Sequence, residues 1–340
     1  MRIAILGCGA MGTVLGAYLW KAGIPVDMID AYKAHVDALN DGGAVISDKD
    51  NFTQKVHAIL PEEMEGIYDL VFLMTKQTAN DKVLPNLLKH LGPDSTVCTL
   101  QNGVPEPFVA KYIGEERTVG GTVQWGATFL SPGHSELTSN LDLKRANNKP
   151  FFDIGEMNGE LSQRIMAVAG VLNHMGQTLV VKNLMDARWV KLVINACGSG
   201  MSAACGCPFG HLIDNPRAME CMSFIAYEVA VVAKAASINL GDSYFSLLFD
   251  PERSRKFYTG IYSNAREGKA SMLQDLEAGR ITEVDMLNGY VCATGDRLGI
   301  DTPYNDAVVR IVHGMEKGEL PLSMSNLQYF PDITYPTVKY

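Results

Sequence analysis

The sequence lacks any apolar run of the length that a membrane span requires, which is about 18 residues or more. It also lacks an excess of positive charge, because its formal net charge is −9. An acidic balance disfavours nucleic acids and anionic membranes as partners, yet it leaves room for a basic pocket that binds a small anion. We therefore expect no nucleic-acid partner and no membrane partner, whereas a small anionic substrate is compatible with this charge.

Patterns typical of metal sites and disulfides are missing as well. The seven cysteines are odd in number, and Cys205 and Cys207 do not have the spacing of a zinc knuckle or a redox C-x-x-C motif. Most cysteines lie among apolar residues, which favours buried reduced thiols. The seven histidines are scattered singly, without a His-x-x-x-His pair. The sequence predicts no metal site.

The sequence contains neither an internal repeat nor a low-complexity tract, and we expect no signal peptide. The first strand pattern begins almost at Met1, which leaves no room for a signal peptide and predicts a cytoplasmic protein. The chain has 340 residues, of which 47% are hydrophobic and 20% charged. Such a length and composition indicate a globular protein of roughly two domains.

The N-terminal segment contains the most informative motif. A short apolar run, Arg2 to Leu6, precedes the pattern G-x-G-x-x-G formed by Gly7, Gly9 and Gly12, and Asp30 ends a second apolar run. A strand, a glycine loop, a helix and an acid about 20 residues further on are typical of a dinucleotide site. The alternative is an ordinary turn between a strand and a helix. The predicted loop residues are Gly7, Cys8, Gly9, Ala10, Met11 and Gly12.

Strand and helix patterns alternate beyond this motif. The apolar run Tyr68 to Thr75 ends at Lys76, and a helix follows from about Thr78 to Leu91. A strand from Ser95 to Leu100 then leads into Asn102. Ligands of doubly wound sheets lie outside the carboxyl ends of the strands, where Lys76 and Asn102 fall. We predict an α/β, Rossmann-type domain with a doubly wound sheet over residues 1–183, completed by β-rich segments and a polar loop or hairpin over residues 139–150.

From Leu184 onward nearly every segment has helical periodicity, so residues 184–340 are predicted to form an all-helical domain. Thr282 and Asp285 resemble a capping box that starts a helix running to Leu298. The segment 320–340 is rich in proline and tyrosine, and the sequence leaves open whether it packs on the surface or across a possible homodimer.

One predicted helix carries a polar stripe on an otherwise apolar surface. Lys191, Asn195 and Ser199 are spaced i, i+4 and i+8, so they share one face. A buried ammonium needs partners or a lowered pKa, and lysines in such surroundings serve as general acids or bases. The alternative is a lysine whose head group reaches solvent at the domain rim.

Taken together, these motifs resemble the ketopantoate reductase (2-dehydropantoate 2-reductase) family over nearly the whole chain. The matching pieces are Ile5 to Gly12, Lys76, Gln101 to Gly103, Gly126 to Thr128 with Pro132 to His134, Trp189-x-Lys191-x-x-x-Asn195, Ser271 to Asp275, and Thr282 to Asp285 with Asn288-Gly289. Several ordered motifs at family-like spacing are much stronger evidence than any one of them.

The resemblance implies the reduction of a 2-keto acid, foremost ketopantoate, to the (R)- or D-2-hydroxy acid. It implies that Lys191 protonates the ketone oxygen, that Asn195, Ser271 and Glu283 hold the substrate, and that Asn102 lies beside the nicotinamide. Hydride delivery belongs to the cofactor. The predicted site comprises catalytic Lys191 and Glu283; substrate-binding Asn195, Ser199, Ser271 and Asn102; and cofactor-binding Asp30, Lys76, Asn102 and Glu283 besides the glycine loop.

Two positions depart from the family pattern. Many members place an arginine after the second strand to bind the 2′-phosphate of NADP, whereas this chain has Asp30 and Ala31. A carboxylate there favours NAD(H), although NADP(H) is not excluded, because Lys33 follows closely. The second departure is Ser199, which stands where many members have a second asparagine and predicts a broader range of keto acids.

Three alternative functions remain open. The first is an NAD-dependent D-2-hydroxyacid dehydrogenase for branched or aromatic keto acids on the same scaffold. The second is a β-hydroxyacid dehydrogenase, which also has a Lys-x-x-x-Asn helix. In that group a glycine-rich run precedes the helix, and this chain lacks such a run. The third is a dinucleotide-binding sensor without turnover, which would have no need for Lys191, Asn195, Ser271 and Glu283 together.

Overall fold

An eight-stranded, mainly parallel sheet runs through the first unit of the computed structural model. The structure describes residues 1–338 and divides into two units, Met1–Ala187 and Arg188–Tyr340. The strands, in chain order, are β1 (Ile3–Leu6), β2 (Asp27–Ile29), β3 (Ala44–Asp48), β4 (Phe52–Gln54), β5 (His57–Ile59), β6 (Tyr68–Leu73), β7 (Leu91–Thr99), β8 (Thr118–Val123), β9 (Ala127–Ser131), β10 (His134–Leu137), β11 (Phe152–Glu156) and β12 (Thr178–Val180).

The strand order of the large sheet is β12-β11-β8-β7-β6-β1-β2-β5. Neighbouring strands pair in parallel except for β11, which runs antiparallel to β8. The strands β4, β3, β10 and β9 form a separate four-stranded sheet that the sequence did not indicate. The helices of this unit are α1 (Ala10–Lys21), α2 (Lys33–Gly42), α3 (Asn80–Leu87), α4 (Glu106–Ile113), α5 (Leu141–Ala146) and α6 (Gln163–Leu172).

Both faces of the large sheet are covered by helices, so the prediction of a doubly wound α/β fold is confirmed. Along β1, Ile3 and Ile5 belong to one apolar cluster, which includes residues of α1 and α6. Ala4 and Leu6 point to the opposite face and belong to a second cluster, with residues of α3 and α4. Parallel strands buried on both faces read as continuous apolar runs, which explains the run at the chain start.

The second unit consists of helices, and the described part of it contains no strand. The helix α7 (Leu184–Ile194) spans the boundary between the units and continues as a π-helical turn, Asn195–Ser199. The remaining helices are α8 (Gly200–Ala204), α9 (Phe209–Ile213), α10 (Pro216–Ala235), α11 (Asp242–Leu248), α12 (Pro251–Ser263), α13 (Ser271–Glu277), α14 (Asn288–Leu298) and α15 (Pro303–Glu316). The long helix α10 is buried over most of its length and packs against α9, α11, α12, α14 and α15.

Three local predictions are wrong. Residues 139–150 contain the short helix α5 and not only a loop, because the Asn140 side chain accepts a hydrogen bond from the Leu143 N–H and caps it. The strand β7 begins at Leu91, since Leu91 pairs with Tyr68 before the register shifts. The helix predicted from Thr282 begins only at Asn288, and a 3-10 turn precedes it.

Other expectations concern burial. All seven cysteines are buried, and the described chain contains no disulfide. Within residues 1–338, none of the helices combines the length and the apolar character that crossing a membrane would demand. In the tail, the Tyr335 ring stacks on Tyr227 with 4.7 Å between centroids, so this part of the segment packs on its own unit.

Candidate active site

The glycine loop after β1 is tightly packed at two of its three glycines. Gly7 has φ +100°, and a Cβ atom there would lie 2.4 Å from the backbone nitrogen of Thr75. A Cβ atom on Gly12 would lie 2.2 Å from the carbonyl oxygen of Gly7. These two glycines are therefore required by the fold itself, because a side chain on Gly7 would collide with the backbone that follows β6 and one on Gly12 would push α1 away from the loop.

Gly9 differs from its two neighbours in the motif. A Cβ atom there would meet no protein atom within 4 Å, and Gly9 caps α1 without offering a side chain. The first N–H groups of a helix have no partner within the helix and carry its positive dipole end. Open space beside these donors fits a pyrophosphate, so the loop from Gly7 to Gly12 suits a dinucleotide.

A histidine that the sequence analysis did not single out supports this loop. The Nδ1 atom of His35 accepts a hydrogen bond from the Gly133 N–H at 2.9 Å, so its Nε2 carries the proton and donates to the Cys8 carbonyl oxygen at 2.7 Å. Thr13 also donates to that oxygen, at 2.6 Å. Burial lowers the pKa of His35, although the Cys8 carbonyl and Asp30 oppose the shift.

Asp30 directly follows β2, as predicted. Its Oδ1 atom accepts a hydrogen bond from the Tyr32 N–H at 2.9 Å, which holds the carboxylate at the carboxyl end of the strand. The ammonium of Lys33 contacts both carboxylate oxygens of Asp37 at 2.7 Å. The lysine that could bind a 2′-phosphate is thus already paired along α2, although both side chains are largely exposed and such a pair is weak.

Lys76 and Asn102 follow the neighbouring strands β6 and β7, and both therefore lie at the carboxyl edge of the sheet. The side chain of Gln77 donates to the Asn102 carbonyl oxygen at 2.5 Å. Gln101 donates to the Thr75 carbonyl oxygen at 2.8 Å. Two glutamines thus tie the two loops together, and Gln101 belongs to the Gln-Asn-Gly motif in which only Asn102 had been assigned a role.

In the second unit, the predicted polar stripe includes a π-helical turn. Lys191 is half-buried on α7, and Asn195 and Ser199 are the first and last residues of the turn. A π turn widens the helix by one residue and is frequent at functional sites. The Ser199 hydroxyl is buried, and no group in the described chain bonds to it. A buried polar atom of this kind costs stability unless a ligand satisfies it.

Ser271 and Glu283 belong to the same unit. Ser271 is the first residue of α13, which packs against the π turn and α8. Glu283 is buried and precedes the 3-10 turn before α14. Its loop is held by Glu316, which accepts from the Thr282 N–H at 2.7 Å. Asn195 and Ser199 thus share one turn of helix, and the exposed Ser271 begins a helix that packs against this turn.

These two sets of residues define a class of protein. A doubly wound sheet with a glycine loop, an acid after β2 and polar groups at its carboxyl edge is typical of dinucleotide-dependent oxidoreductases. The helical unit carries a lysine, an amide and a hydroxyl along one helix, which are groups of the kind that the substrate site of such an enzyme uses.

The comparisons with known proteins agree. Residues 3–148 match the family described as ketopantoate reductase PanE/ApbA, and residues 183–316 match its C-terminal model. The 2-dehydropantoate 2-reductase of Archaeoglobus fulgidus is 30% identical over 320 residues, which cover 93% of this chain and 98% of that protein. The enzyme of the same name from Streptococcus pyogenes serotype M6 is 27% identical over 322 residues, with the same coverage of each chain.

Solved structures share the fold over most of the chain. A D-mandelate dehydrogenase in a ternary structure with NADH and anilino(oxo)acetate has a TM-score of 0.81 at 24% identity, covering 94% of this chain and 99% of that one. A PanE/ApbA family ketopantoate reductase from Ralstonia eutropha JMP134 has a TM-score of 0.79 at 25% identity, with the same coverage.

The chain belongs to the ketopantoate reductase PanE/ApbA family. The predictions of this family and of an oxidoreductase are confirmed. Membership of this family supports a nicotinamide dinucleotide as the cofactor and a 2-keto acid as the class of substrate.

Proposed function

We propose that this protein catalyses the NAD(P)H-dependent reduction of a 2-keto acid, foremost ketopantoate, to the (R)-2-hydroxy acid. The observation that carries the proposal is the polar stripe of Lys191, Asn195 and Ser199 on a helix with a π turn, in which the buried Ser199 hydroxyl has no partner among residues 1–338. The relatives named 2-dehydropantoate 2-reductase match over nearly their full length and support it.

Each unit has its own task in this proposal. The first unit binds the dinucleotide through Gly7, Cys8, Gly9, Ala10, Met11 and Gly12, together with Asp30, Lys76 and Asn102. The nicotinamide supplies the hydride when the cofactor is bound. The second unit binds the keto acid, and Glu283 helps to hold substrate and cofactor through its carboxylate.

Lys191 acts as the general acid, because an ammonium can donate a proton to the ketone oxygen as negative charge develops there. Asn195, Ser199 and Ser271 offer the N–H and O–H donors that a substrate carboxylate and hydroxyl require. The half-buried position of Lys191 strengthens the interaction with the developing charge, because water screens it less than at the surface.

We also propose NADH as the preferred cofactor. The carboxylate of Asp30 suits a ribose 2′-hydroxyl and repels a 2′-phosphate, and the ion pair of Lys33 with Asp37 opposes recruitment of that lysine to a phosphate.

A second candidate function is an NAD-dependent D-2-hydroxyacid dehydrogenase for branched or aromatic keto acids. Ser199 favours it, because a serine is shorter than the family's asparagine and leaves more room beside the π turn. Under this function, keto acids without a terminal hydroxyl would be reduced as well as ketopantoate.

Initial rates with a panel of 2-keto acids, each with NADH and with NADPH, test the proposal. The variant Lys191→Ala is expected to lose about 10²–10⁴ in kcat, the usual contribution of a general acid. The variant Lys256→Ala, which removes an exposed lysine of α12 paired with Glu252, serves as the control. Wild-type kcat in Lys191→Ala, or no turnover of any keto acid, would show that the proposal is wrong.

A further inference from the structure

A buried asparagine outside the proposed substrate contacts holds the π turn. The Nδ2 atom of Asn288 donates to the carbonyl oxygen of Ala196 at 3.1 Å, and Asn288 is completely buried. We propose that Asn288 is a positioning residue that keeps the turn Asn195–Ser199 in its π-helical form and thereby places the side chains that bind the keto acid. This inference rests on the proposed function, because it assigns Asn195 and Ser199 to the substrate.

The orientation of the Asn288 amide is determined by a chain of hydrogen bonds. Asn305 donates to the Oε2 atom of Glu228 from its Nδ2 at 2.7 Å and from its backbone N–H at 2.9 Å. Since an ionised carboxylate only accepts hydrogen bonds, the amide nitrogen of Asn305 faces Glu228 and its oxygen faces Asn288. Asn288 donates to that oxygen at 3.0 Å, so its nitrogen points toward the π turn.

Glu228 is itself held from two other directions. Its Oε1 atom accepts from the Tyr304 N–H at 2.9 Å and from the Tyr335 hydroxyl at 2.8 Å. The carboxylate therefore receives four donors in all, which only the ionised form can satisfy fully. A buried carboxylate whose oxygens are all used in this way holds the groups around it, Asn305 among them, in one arrangement.

The helix after the turn also fits closely against Asn288. A Cβ atom on Gly200 would lie 2.7 Å from the Oδ1 atom of Asn288, and one on Gly198 would lie 1.8 Å from the Tyr262 hydroxyl oxygen. Side chains at these two positions would push the turn away from both neighbours. The turn is thus held by a hydrogen bond and by close packing.

The link to substrate binding follows from helix geometry. A π turn contains one more residue than an α-helical turn, so its conversion to an α-helix would rotate later residues by about 100° relative to earlier ones. The angle between the Ser199 and Lys191 side chains around the helix axis would then differ from the angle in the π-helical form. Asn288 makes the π turn the lower-energy form without contacting the substrate itself.

The test compares Asn288→Ala with a matched control, Asn326→Ala. Asn326 is also completely buried and donates to a helical carbonyl, that of Ala204, at 3.1 Å. Its Oδ1 atom, like that of Asn288, has no partner in the described chain. The two substitutions therefore remove the same group from similar surroundings, and only one of them touches the π turn.

Initial rates are measured at pH 8 with saturating NADH and the best keto acid of the panel. In Asn288→Ala, KM is expected to rise by roughly 10- to 100-fold, because the loss of one hydrogen bond to a charged substrate group costs about that much in affinity. The value of kcat is expected to stay within about threefold, since ground-state and transition-state binding are lost together. Asn326→Ala should leave both constants nearly unchanged. Equal effects of the two variants on KM would overturn the inference.

Hydrogen exchange provides a readout that needs no activity. The amides of residues 195–201 should exchange faster in Asn288→Ala than in the wild type and in Asn326→Ala. Unchanged exchange at these residues would contradict the inference even if the enzyme is active. A wild type without keto acid reductase activity would refute the proposed function alone, and the exchange data would still decide the inference. Should Asn288→Ala not fold, Asn288→Ser takes its place in both measurements.

Discussion

The Nε2 atom of His35 lies 2.7 Å from the carbonyl oxygen of Cys8, so a histidine of α2 holds the backbone of the glycine loop. The same ring accepts from the Gly133 N–H, which links the loop to the turn between β9 and β10. The imidazole is completely enclosed and performs both tasks only as the neutral Nε2–H tautomer.

We expect His35→Ala to lower the free energy of unfolding by about 1–3 kcal/mol, because it leaves a buried donor without an acceptor. The dinucleotide should also bind more weakly, since the loop is less well held. Urea unfolding and a fluorescence titration with NADH measure the two effects. The control is His174→Ala, which removes an exposed histidine of the same unit, and equal stability of the two variants would contradict the assignment.

His35 should also make stability depend on pH, because its pKa is lowered in the folded protein. The stabilisation that the neutral ring provides is fully present above the unfolded pKa of about 6.5. It is lost as the pH falls through the lowered pKa of the folded state.

The two glycines Gly9 and Gly12 should respond differently to alanine. Gly9→Ala is expected to keep wild-type stability, because the new methyl group meets no protein atom, yet to weaken NADH binding by occupying the space of the pyrophosphate. Gly12→Ala should destabilise the protein, because its methyl group would overlap the Gly7 carbonyl, and overpacking typically costs about 1–3 kcal/mol. Thermal unfolding without NADH measures the stability of each variant, and the increase in Tm on adding NADH measures its cofactor binding. Unimpaired NADH binding in Gly9→Ala would place the pyrophosphate elsewhere.

Asp30 should determine the choice of cofactor. The repulsion of a 2′-phosphate and the lost hydrogen bond to a ribose hydroxyl amount to about 1–3 kcal/mol, so kcat/KM should favour NADH over NADPH by roughly 5- to 150-fold. Asp30→Ala should narrow this ratio, mainly by improving the reaction with NADPH. Lys33→Ala should not change the ratio. A wild type that uses NADPH equally well, with a loss of that activity in Lys33→Ala, would identify Lys33 as the phosphate ligand.

Ser199 should relax the selection of the keto acid. A site that hydrogen-bonds a substrate hydroxyl can reject an analogue without it by a factor of about 10⁴ or more. With Ser199 in place of asparagine, we expect a much smaller preference for ketopantoate over 2-ketoisovalerate, and Ser199→Asn should increase it. The ratio of kcat/KM values measures the preference. A wild-type ratio above about 10⁴ would show that Ser199 does not relax the selection.

Glu228 should make stability depend on pH. Burial raises the pKa of Glu228 to about 7, even though four hydrogen bonds favour the ionised form. A carboxyl whose pKa is raised by folding binds more protons in the folded state than in the unfolded state. Its contribution to the free energy of unfolding is therefore fully present below the unfolded pKa of about 4.3 and declines as the pH rises to about 7. The total change is on the order of 3 kcal/mol. The test measures the free energy of unfolding of the wild type and of Glu228→Gln from pH 5 to 8. The wild-type value minus the variant value should fall as the pH rises, and a constant difference would contradict this role.

Local sequence patterns were enough for much of the fold. The helix predicted from Ala10 to about Lys21 is α1 with the same bounds, because a glycine loop, an apolar face and the following turn all agree there. The continuous apolar run at Tyr68 corresponds to β6 in the middle of the sheet. Patterns of this kind are reliable where burial on both faces leaves little choice of residue.

Features that depend on distant partners were missed. The π turn at Asn195–Ser199 has no local signal, since the sequence there reads as a regular apolar helix. The capping-box pattern at Thr282 predicts a helix start six residues too early, because α14 begins only at Asn288. The segment before it is a loop, whose Thr282 N–H is bonded by the distant Glu316. Neither the residues next to His35 nor its position in the sequence indicates that it supports the glycine loop.

The sequence by itself determined the family, the glycine loop and the residue types that the chemistry needs, because these follow from short motifs whose geometry is local. Tertiary structure decided how those residues are held: His35 against Cys8 in the first unit, and Asn288 against Ala196 in the second. Asn288 and Ala196 lie 92 positions apart in the chain. Their hydrogen bond exists only because folding pays the entropy of bringing them together and removes water from around them.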